Sequence, residues 1–171
     1  MKKIILCGYM GSGKTTIARL LAKASGFAYA DLDEEIERQE GKSIPEIFSG
    51  EGELKFRRIE HEALKQFVAA DKSFVLSLGG GTPCYANNHL FLQREDVVSV
   101  YLKAGIKELA ARIIKQGKSR PLLDGLKDEE LEEFIAKHLF DRSFYYHQAK
   151  HIIATDNKTP ENIVNEIISL I

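Results

Sequence analysis

Residues 8–15 read Gly-Tyr-Met-Gly-Ser-Gly-Lys-Thr, which satisfies the spacing G-x-x-x-x-G-K-[ST]. Before them stands a short apolar run, Ile4-Ile5-Leu6-Cys7. After them, Ile17, Leu20, Leu21 and Ala24 recur at helical spacing. This order predicts a strand, a glycine-rich turn and a helix, and it restricts the chain to folds built on that unit. Main-chain N–H groups of such a turn converge at a helix N-terminus, where the helix dipole favours negative charge. Gly11, Ser12, Gly13, Lys14, Thr15 and Thr16 are therefore the candidate phosphate-binding residues. Lys14 is placed to reach the β- and γ-phosphates of a nucleoside triphosphate, and the Thr15 hydroxyl to complete the shell of a bound Mg²⁺.

Beyond the loop, strand-like and helix-like runs alternate, the pattern of a parallel sheet covered on both faces. Strands are predicted at 3–7, 28–31, 74–78, 97–102 and 152–154, and most are nearly continuous apolar runs, as doubly buried strands require. Helices are predicted at 14–25, 33–40, 44–50, 53–70, 106–115, about 128–150 and 160–170. Ser43-Ile44-Pro45-Glu46 fits a capping box, and Thr159-Pro160 places an N-cap before a proline at the first helical position. The last helix repeats Ile163, Val164, Ile167, Ile168 and Ile171, an apolar face for the sheet.

A length of 171 residues suits one domain, 1–171, and 44% hydrophobic with 29% charged residues suits a globular protein. The net charge of −1 argues against a nucleic-acid partner, which usually selects a basic excess. No apolar run is long enough for a membrane span and no signal peptide precedes the first strand, so a cytoplasmic protein is expected. Cys7 and Cys84 lack C-x-x-C spacing and read as free thiols. The five histidines (61, 89, 138, 147 and 151) show no ligand-like grouping and read as surface or helix-face residues. A monomer is expected, because no amphipathic surface is left over once the sheet is covered.

Four further clusters bear on chemistry. Asp31-Leu32-Asp33 closes the second strand, where alternation would send both carboxylates to one side at the carboxyl end of the sheet. Glu53 and Arg57 are spaced for an i,i+4 ion pair on the next long helix. Gly79-Gly80-Gly81 follows a buried strand and lets a ligand approach the backbone closely. The aperiodic stretch at about 115–128, carrying Arg120-Pro121, reads as a lid. A guanine-reading Asn-Lys-x-Asp element is absent, and the third strand does not end in the Asp-Glu pair of AAA-type motors.

Taken in order, the loop, Asp-x-Asp at 31–33, Gly-Glu-x-x-Phe-Arg at 52–57, Gly-Gly-Gly at 79–81, Arg-Pro-Leu-Leu at 120–123 and Arg-x-x-x-Tyr-x-x-x-Ala at 142–149 span nearly the whole chain. Together they resemble shikimate kinase. The resemblance implies a three-layer α/β/α P-loop NTPase fold with a five-stranded parallel sheet and a substrate-binding region at about 33–61. It implies transfer of phosphate from MgATP to the 3-hydroxyl of shikimate. By position, Asp33 corresponds to the residue that hydrogen-bonds the acceptor hydroxyl. Arg57 and Arg142 correspond to the clamp on the substrate carboxylate, with Gly79, Gly80 and Gly81 closing the pocket and Phe56 flanking it. Arg120 matches a lid arginine that reaches the transferring phosphate, and with Lys14 and Asp33 makes up the catalytic set. Asp31 and Ser77 match residues that organise Mg²⁺ through water, while Arg112 and the turn at Lys158 lie where the family holds adenine. Tyr146 and Ala149 are expected to pack the helix and position Arg142. A kinase of another hydroxy acid such as gluconate, a nucleoside monophosphate kinase, and a nucleotide-binding protein without turnover are the alternatives. Residues 82–88, Thr-Pro-Cys-Tyr-Ala-Asn-Asn, match no motif.

Overall fold

In the computed structural model, residues 2–117, 123 and 125–171 are described. Five strands, β1 (Lys3–Cys7), β2 (Ala28–Asp31), β3 (Phe74–Ser77), β4 (Val97–Lys103) and β5 (His151–Ala154), form one sheet in the order β2-β3-β1-β4-β5. Every pairing is parallel, with Ile5 opposite Leu76 and Ser99, and Asp31 opposite Ser77. Among the described residues seven α-helices join them: α1 (Lys14–Ser25), α2 (Leu32–Glu40), α3 (Ile44–Glu51), α4 (Glu53–Ala69), α5 (Ile106–Lys115), α6 (Asp128–Tyr146) and α7 (Pro160–Ile168).

The period-2 alternation of the strands divides the core into two layers. Ile4 and Leu6 of β1 pack with Ile17, Leu21, Ile163, Val164 and Ile167, so α1 and α7 cover one face. Ile5 and Cys7 pack with Ile36, Phe56, Leu64, Leu109, Leu131 and Tyr146, so α2 to α6 cover the other. Burying Ile163, Val164 and Ile167 contributes roughly 1.5–3 kcal/mol each, which is what holds the short α7 to the sheet. Ile168, expected on that face, is instead exposed.

From β1 the chain turns toward the β2 edge under α1, and from β3 it turns toward the β4 side on the opposite face. The loops after these neighbouring strands therefore separate, opening a crevice at their carboxyl ends where ligands of such sheets bind.

Local signals hold where they are chemical. Ser43 and Glu46 close a reciprocal capping box on α3, with Ser43 N donating to Glu46 Oε2 at 2.7 Å. Thr159 caps α7, accepting from Asn162 N at 3.2 Å. Helix α6 stops at Tyr146 rather than near 150, because the Lys150 N–H turns to the sheet and donates to Ser99 Oγ at 2.9 Å. Two 3₁₀ helices, Thr82–Cys84 and Asn88–Gln93, were not foreseen, since short segments around Pro83 carry no readable period. The expectation that no apolar surface remains fails on α6: Phe140 and Phe144, one turn apart, are 86% and 63% exposed. Among the described residues no helix is long and apolar enough to cross a membrane.

Candidate active site

The phosphate loop begins where β1 ends. A Cβ on Gly8 would lie 2.7 Å from the Leu102 carbonyl oxygen, so the loop can leave the sheet here only through glycine. Gly13, at φ 93°, is the N-cap of α1 and offers no side chain to its first turn. By contrast α2, α3 and α7 are closed by Asp31, Ser43 and Thr159. The N–H groups of the first α1 turn, from Lys14 to Thr16, have no intrahelical acceptors and converge at the positive end of the helix dipole. Within the loop the Ser12 hydroxyl is buried without a hydrogen-bond partner. Lys14, 9% exposed, donates from Nζ to the carbonyls of Gly8 at 2.9 Å and Tyr9 at 3.0 Å. Uncapped N–H groups, an orphaned hydroxyl and a buried ammonium fit a polyphosphate.

Beside this cradle lies a set of hard oxygen donors. Thr15 Oγ1 donates to Asp31 Oδ2 at 3.1 Å, and the Asp31–Ser77 register brings in Ser77, whose buried hydroxyl has no partner. Two hydroxyls and a carboxylate suit Mg²⁺, which prefers oxygen and retains several waters. The expected pairing of Asp31 and Asp33 by strand alternation is not what forms. Asp31 is the last strand residue and caps α2, its Oδ1 accepting from Asp33 N at 3.1 Å and Glu34 N at 3.4 Å. Asp33 is already in the first helical turn, and helix geometry, not the pleat, aims its carboxylate.

That aim is toward the glycine run, where each residue faces a different functional group. A Cβ on Gly79 would lie 2.9 Å from Asp33 Oδ1; one on Gly80, 3.5 Å from Arg142 Nη1; one on Gly81, 3.0 Å from Arg57 Nη2. One acid and two arginines from three helices thus converge on a backbone stripped of side chains. Phe56 is buried alongside, its ring 4.7 Å from that of Phe48.

Sequence reasoning missed what holds Arg57. Its expected partner Glu53 sits at 3.4 Å, half exposed, whereas Glu60 accepts from Nη1 at 2.9 Å and is 1% exposed. Glu60 also accepts from Thr82 Oγ1 at 2.6 Å. Asn88, fully buried, donates to the Thr82 carbonyl at 3.0 Å and lies 2.7 Å from Nδ1 of His61. The uninterpreted stretch 82–88 therefore braces the arginine. The Arg57–Glu60 spacing of i,i+3 was a readable signal; Thr82 and Asn88 gave none.

Helix α6 ties the same loops together. The Tyr146 hydroxyl donates to the Gly80 carbonyl at 2.6 Å, and its ring packs 5.2 Å from that of Tyr101, with Ala149 buried nearby. The Tyr9 hydroxyl of the phosphate loop lies 3.0 Å from Nδ1 of His138, a helix-face residue of α6 as expected, but one that faces the loop. Burial, with Arg142 acting in the same direction, pushes the His138 imidazole down to about 4 from its ordinary 6.5. The unfolded chain binds that proton more readily, so this group raises stability as pH climbs from about 4 to 6.5 and adds no slope above. Urea unfolding of the wild type and His138→Gln across this range should give a difference that grows with pH and then levels. A difference flat throughout would show that His138 is not held neutral.

Other candidates are placed as follows. Arg112 pairs with Glu108 at 2.7 Å and donates from Nη1 to the carbonyls of Gly11 and Ser12 at 3.3 Å, so it braces the underside of the phosphate loop. Lys158 stands in the β5–α7 turn with its ammonium on Glu166 at 2.6 Å. Arg120, with the rest of 118–122 and 124 in the stretch read as a lid, lies outside the described residues; Leu123 within that stretch is buried in the core. Cys7 and Cys84 are free thiols, and burial pushes them up to about 12 and about 11.

The family model described as shikimate kinase matches residues 10–171. A shikimate kinase of Flavobacterium johnsoniae is 50% identical over 171 residues, covering 100% of this chain and 99% of that protein. Among solved structures, shikimate kinase from Bacteroides thetaiotaomicron superposes with a TM-score of 0.90 at 34% identity, covering 99% of this chain and 97% of that one. Shikimate kinase from Acinetobacter baumannii in complex with shikimate gives a TM-score of 0.87 at 34% identity, covering 99% and 92%.

Proposed function

Given that this chain belongs to the shikimate kinase family and is an ATP-dependent kinase of shikimate, we propose how its residues divide the work. Asp33 orients the acceptor hydroxyl, which in this reading is the 3-hydroxyl, and Arg57 and Arg142 hold the substrate carboxylate. Gly79, Gly80 and Gly81 form the floor and Phe56 a wall. The glycine run carries this reading, because its three members separately face the one acid and both arginines. Planar guanidinium forks bind a carboxylate bidentately, and two of them set an acid apart from a neutral polyol. The relatives give no support to a gluconate or nucleotide acceptor, nor to a protein without turnover.

On the donor side, Gly11 to Thr16 cradle the phosphates and Lys14 carries positive charge to them. Thr15 directly, with Asp31 and Ser77 through water, would hold Mg²⁺. When bound, Mg²⁺ neutralises charge on the β- and γ-phosphate oxygens. Phosphoryl transfer passes through a loose transition state, so these residues act chiefly by alignment and by countering charge. Asp33 need not be a strong base, since little proton transfer precedes cleavage of the leaving-group bond. Arg120 adds positive charge to the transferring phosphate in this reading. Arg112 and Lys158 flank the adenine in this reading.

The test is ADP release with ATP and Mg²⁺ against a panel of shikimate, gluconate, AMP and CMP, repeated with Arg57→Ala. Shikimate alone should drive turnover. In the variant the KM for shikimate should rise about 10²-fold, the loss of a charge-assisted pair worth about 1.5–3 kcal/mol. An unchanged KM would assign the carboxylate elsewhere.

A further inference from the structure

The Arg57 guanidinium has a neighbour that the phosphoryl-transfer chemistry does not use. Its carbon lies 3.8 Å from the ring centroid of Tyr85, closer than the 5.1 Å to Phe56 and 6.0 Å to Phe48. At that distance the cation rests on the face of the ring. We propose that Tyr85 is a positioning residue for Arg57, fixing the guanidinium plane that receives the substrate carboxylate; this rests on Arg57 being half of the carboxylate clamp.

Three observations carry it. First, the backbone is spent on placing the ring. Ala86 and Asn87, immediately after Tyr85, have φ of 50° and 56°, two successive non-glycine residues in the left-handed region. Such conformations persist only where the surroundings impose them. Here Asn88 N donates to the Tyr85 carbonyl at 2.9 Å while the buried Asn88 side chain pins the turn to Thr82 and His61. Second, Tyr85 is 38% exposed and takes no part in either core layer, so filling the interior does not explain it. Third, Arg57 and Tyr85 share the wall of an open groove on the outer side of α4, with Leu54, Arg58 and His61. Without the ring, that groove would let water reach the guanidinium.

The arrangement does chemical work. Glu60 fixes one N–H of the fork at Nη1, and Gly81 lies against Nη1 and Nη2. An aromatic face covers a guanidinium without consuming its in-plane donors, and it limits solvent competition for them. Tyr85 therefore leaves the fork available to a carboxylate while stopping its rotation.

The experiment measures kcat, KM for shikimate and KM for ATP in the full chain carrying Tyr85→Ala, Tyr85→Leu, Tyr85→Phe, Arg57→Ala, and Tyr85→Ala combined with Arg57→Ala. Tyr85→Ala and Tyr85→Leu should raise KM for shikimate about three- to thirtyfold, the span of a partly shielded cation–π contact. Their kcat and KM for ATP should stay within about twofold, since a contact made equally in ground and transition states moves KM alone. Tyr85→Phe should match the wild type. In the Arg57→Ala background, Tyr85→Ala should add less than about twofold, because groups acting as a unit are not additive. An unchanged KM in Tyr85→Ala and Tyr85→Leu overturns the proposal. So does a Phe variant as impaired as the Ala variant, which would assign the effect to the hydroxyl. A full effect persisting without Arg57 would show Tyr85 acting on its own. If Arg57→Ala itself leaves KM unchanged, the clamp reading falls and this inference with it; if Arg57→Ala raises KM and Tyr85→Ala does not, only the role of Tyr85 falls.

Discussion

Asp33→Asn is expected to lower kcat about 10²- to 10³-fold, the scale of a lost orienting or proton-accepting carboxylate. The affinity for ATP should stay within about threefold. Asparagine has the shape of aspartate, so the packing against Gly79, where no Cβ is tolerated beside Asp33 Oδ1, is preserved. What changes is the charge and the number of acceptor oxygens offered to the acceptor hydroxyl. Asp33 stands at the same carboxyl end of the sheet as the phosphate loop, but it follows β2 in the first turn of α2, and the Thr15 contact goes to Asp31, not to Asp33. The donor half should therefore bind normally while the acceptor oxygen loses its alignment. Steady-state ADP release for kcat, with calorimetric titration of an ATP analogue, separates the two. Near-normal turnover would remove Asp33 from the orienting role. A comparable loss of nucleotide affinity would show that it serves the metal side with Asp31.

The elements that a periodic pattern can specify were legible. Strands β1 and β3 are buried on both faces and read as apolar runs, and the capping residues Ser43 and Thr159 act through the next turn, so a local sequence contains the whole signal. Site geometry was legible only where residue type limits the choice. Gly79, Gly80 and Gly81 announce a close approach, but which group approaches each is decided by three separate helices. Glu60 on α4 looks like a solvated acid until Thr82, 22 positions later, is folded against it. The orientation of Asp33 was misread because Asp31 ends the strand and starts the helix at once, a capping choice that competes with continued alternation. Ala86 and Asn87 adopt a left-handed conformation that glycine would have advertised and they do not. The exposed Phe140 and Phe144 belong to a helix with no strong amphipathic pattern, so nothing periodic marked their side as uncovered.

Lys14→Met should cost about 10³-fold in kcat, at the upper end of what removal of one charge-stabilising donor costs, while the unliganded protein melts within about 5 °C of the wild type. The second half follows from opposing effects. Lys14 is a cation buried against the Gly8 and Tyr9 carbonyls, and replacing it with an apolar side chain of similar length relieves its desolvation. Against this, the two carbonyls lose a donor, at about 1–3 kcal/mol each if they find no other. Near cancellation leaves a remainder on the order of 1 kcal/mol, or about 2–4 °C in a chain of this size. Catalysis has no such compensation. Carbonyl dipoles are poor substitutes for phosphate oxygens, whose full charge interacts more strongly with an ammonium in a nearly dry loop. Methionine offers the developing charge nothing. Calorimetric melting and single-turnover phosphate transfer on the same preparation decide the matter. A melting point that falls by 10 °C or more would make Lys14 a strut of the loop, its catalytic loss a consequence of unfolding. Loss of transfer in a protein that melts normally would mean that the ammonium's burial is maintained for the phosphates and not for the fold.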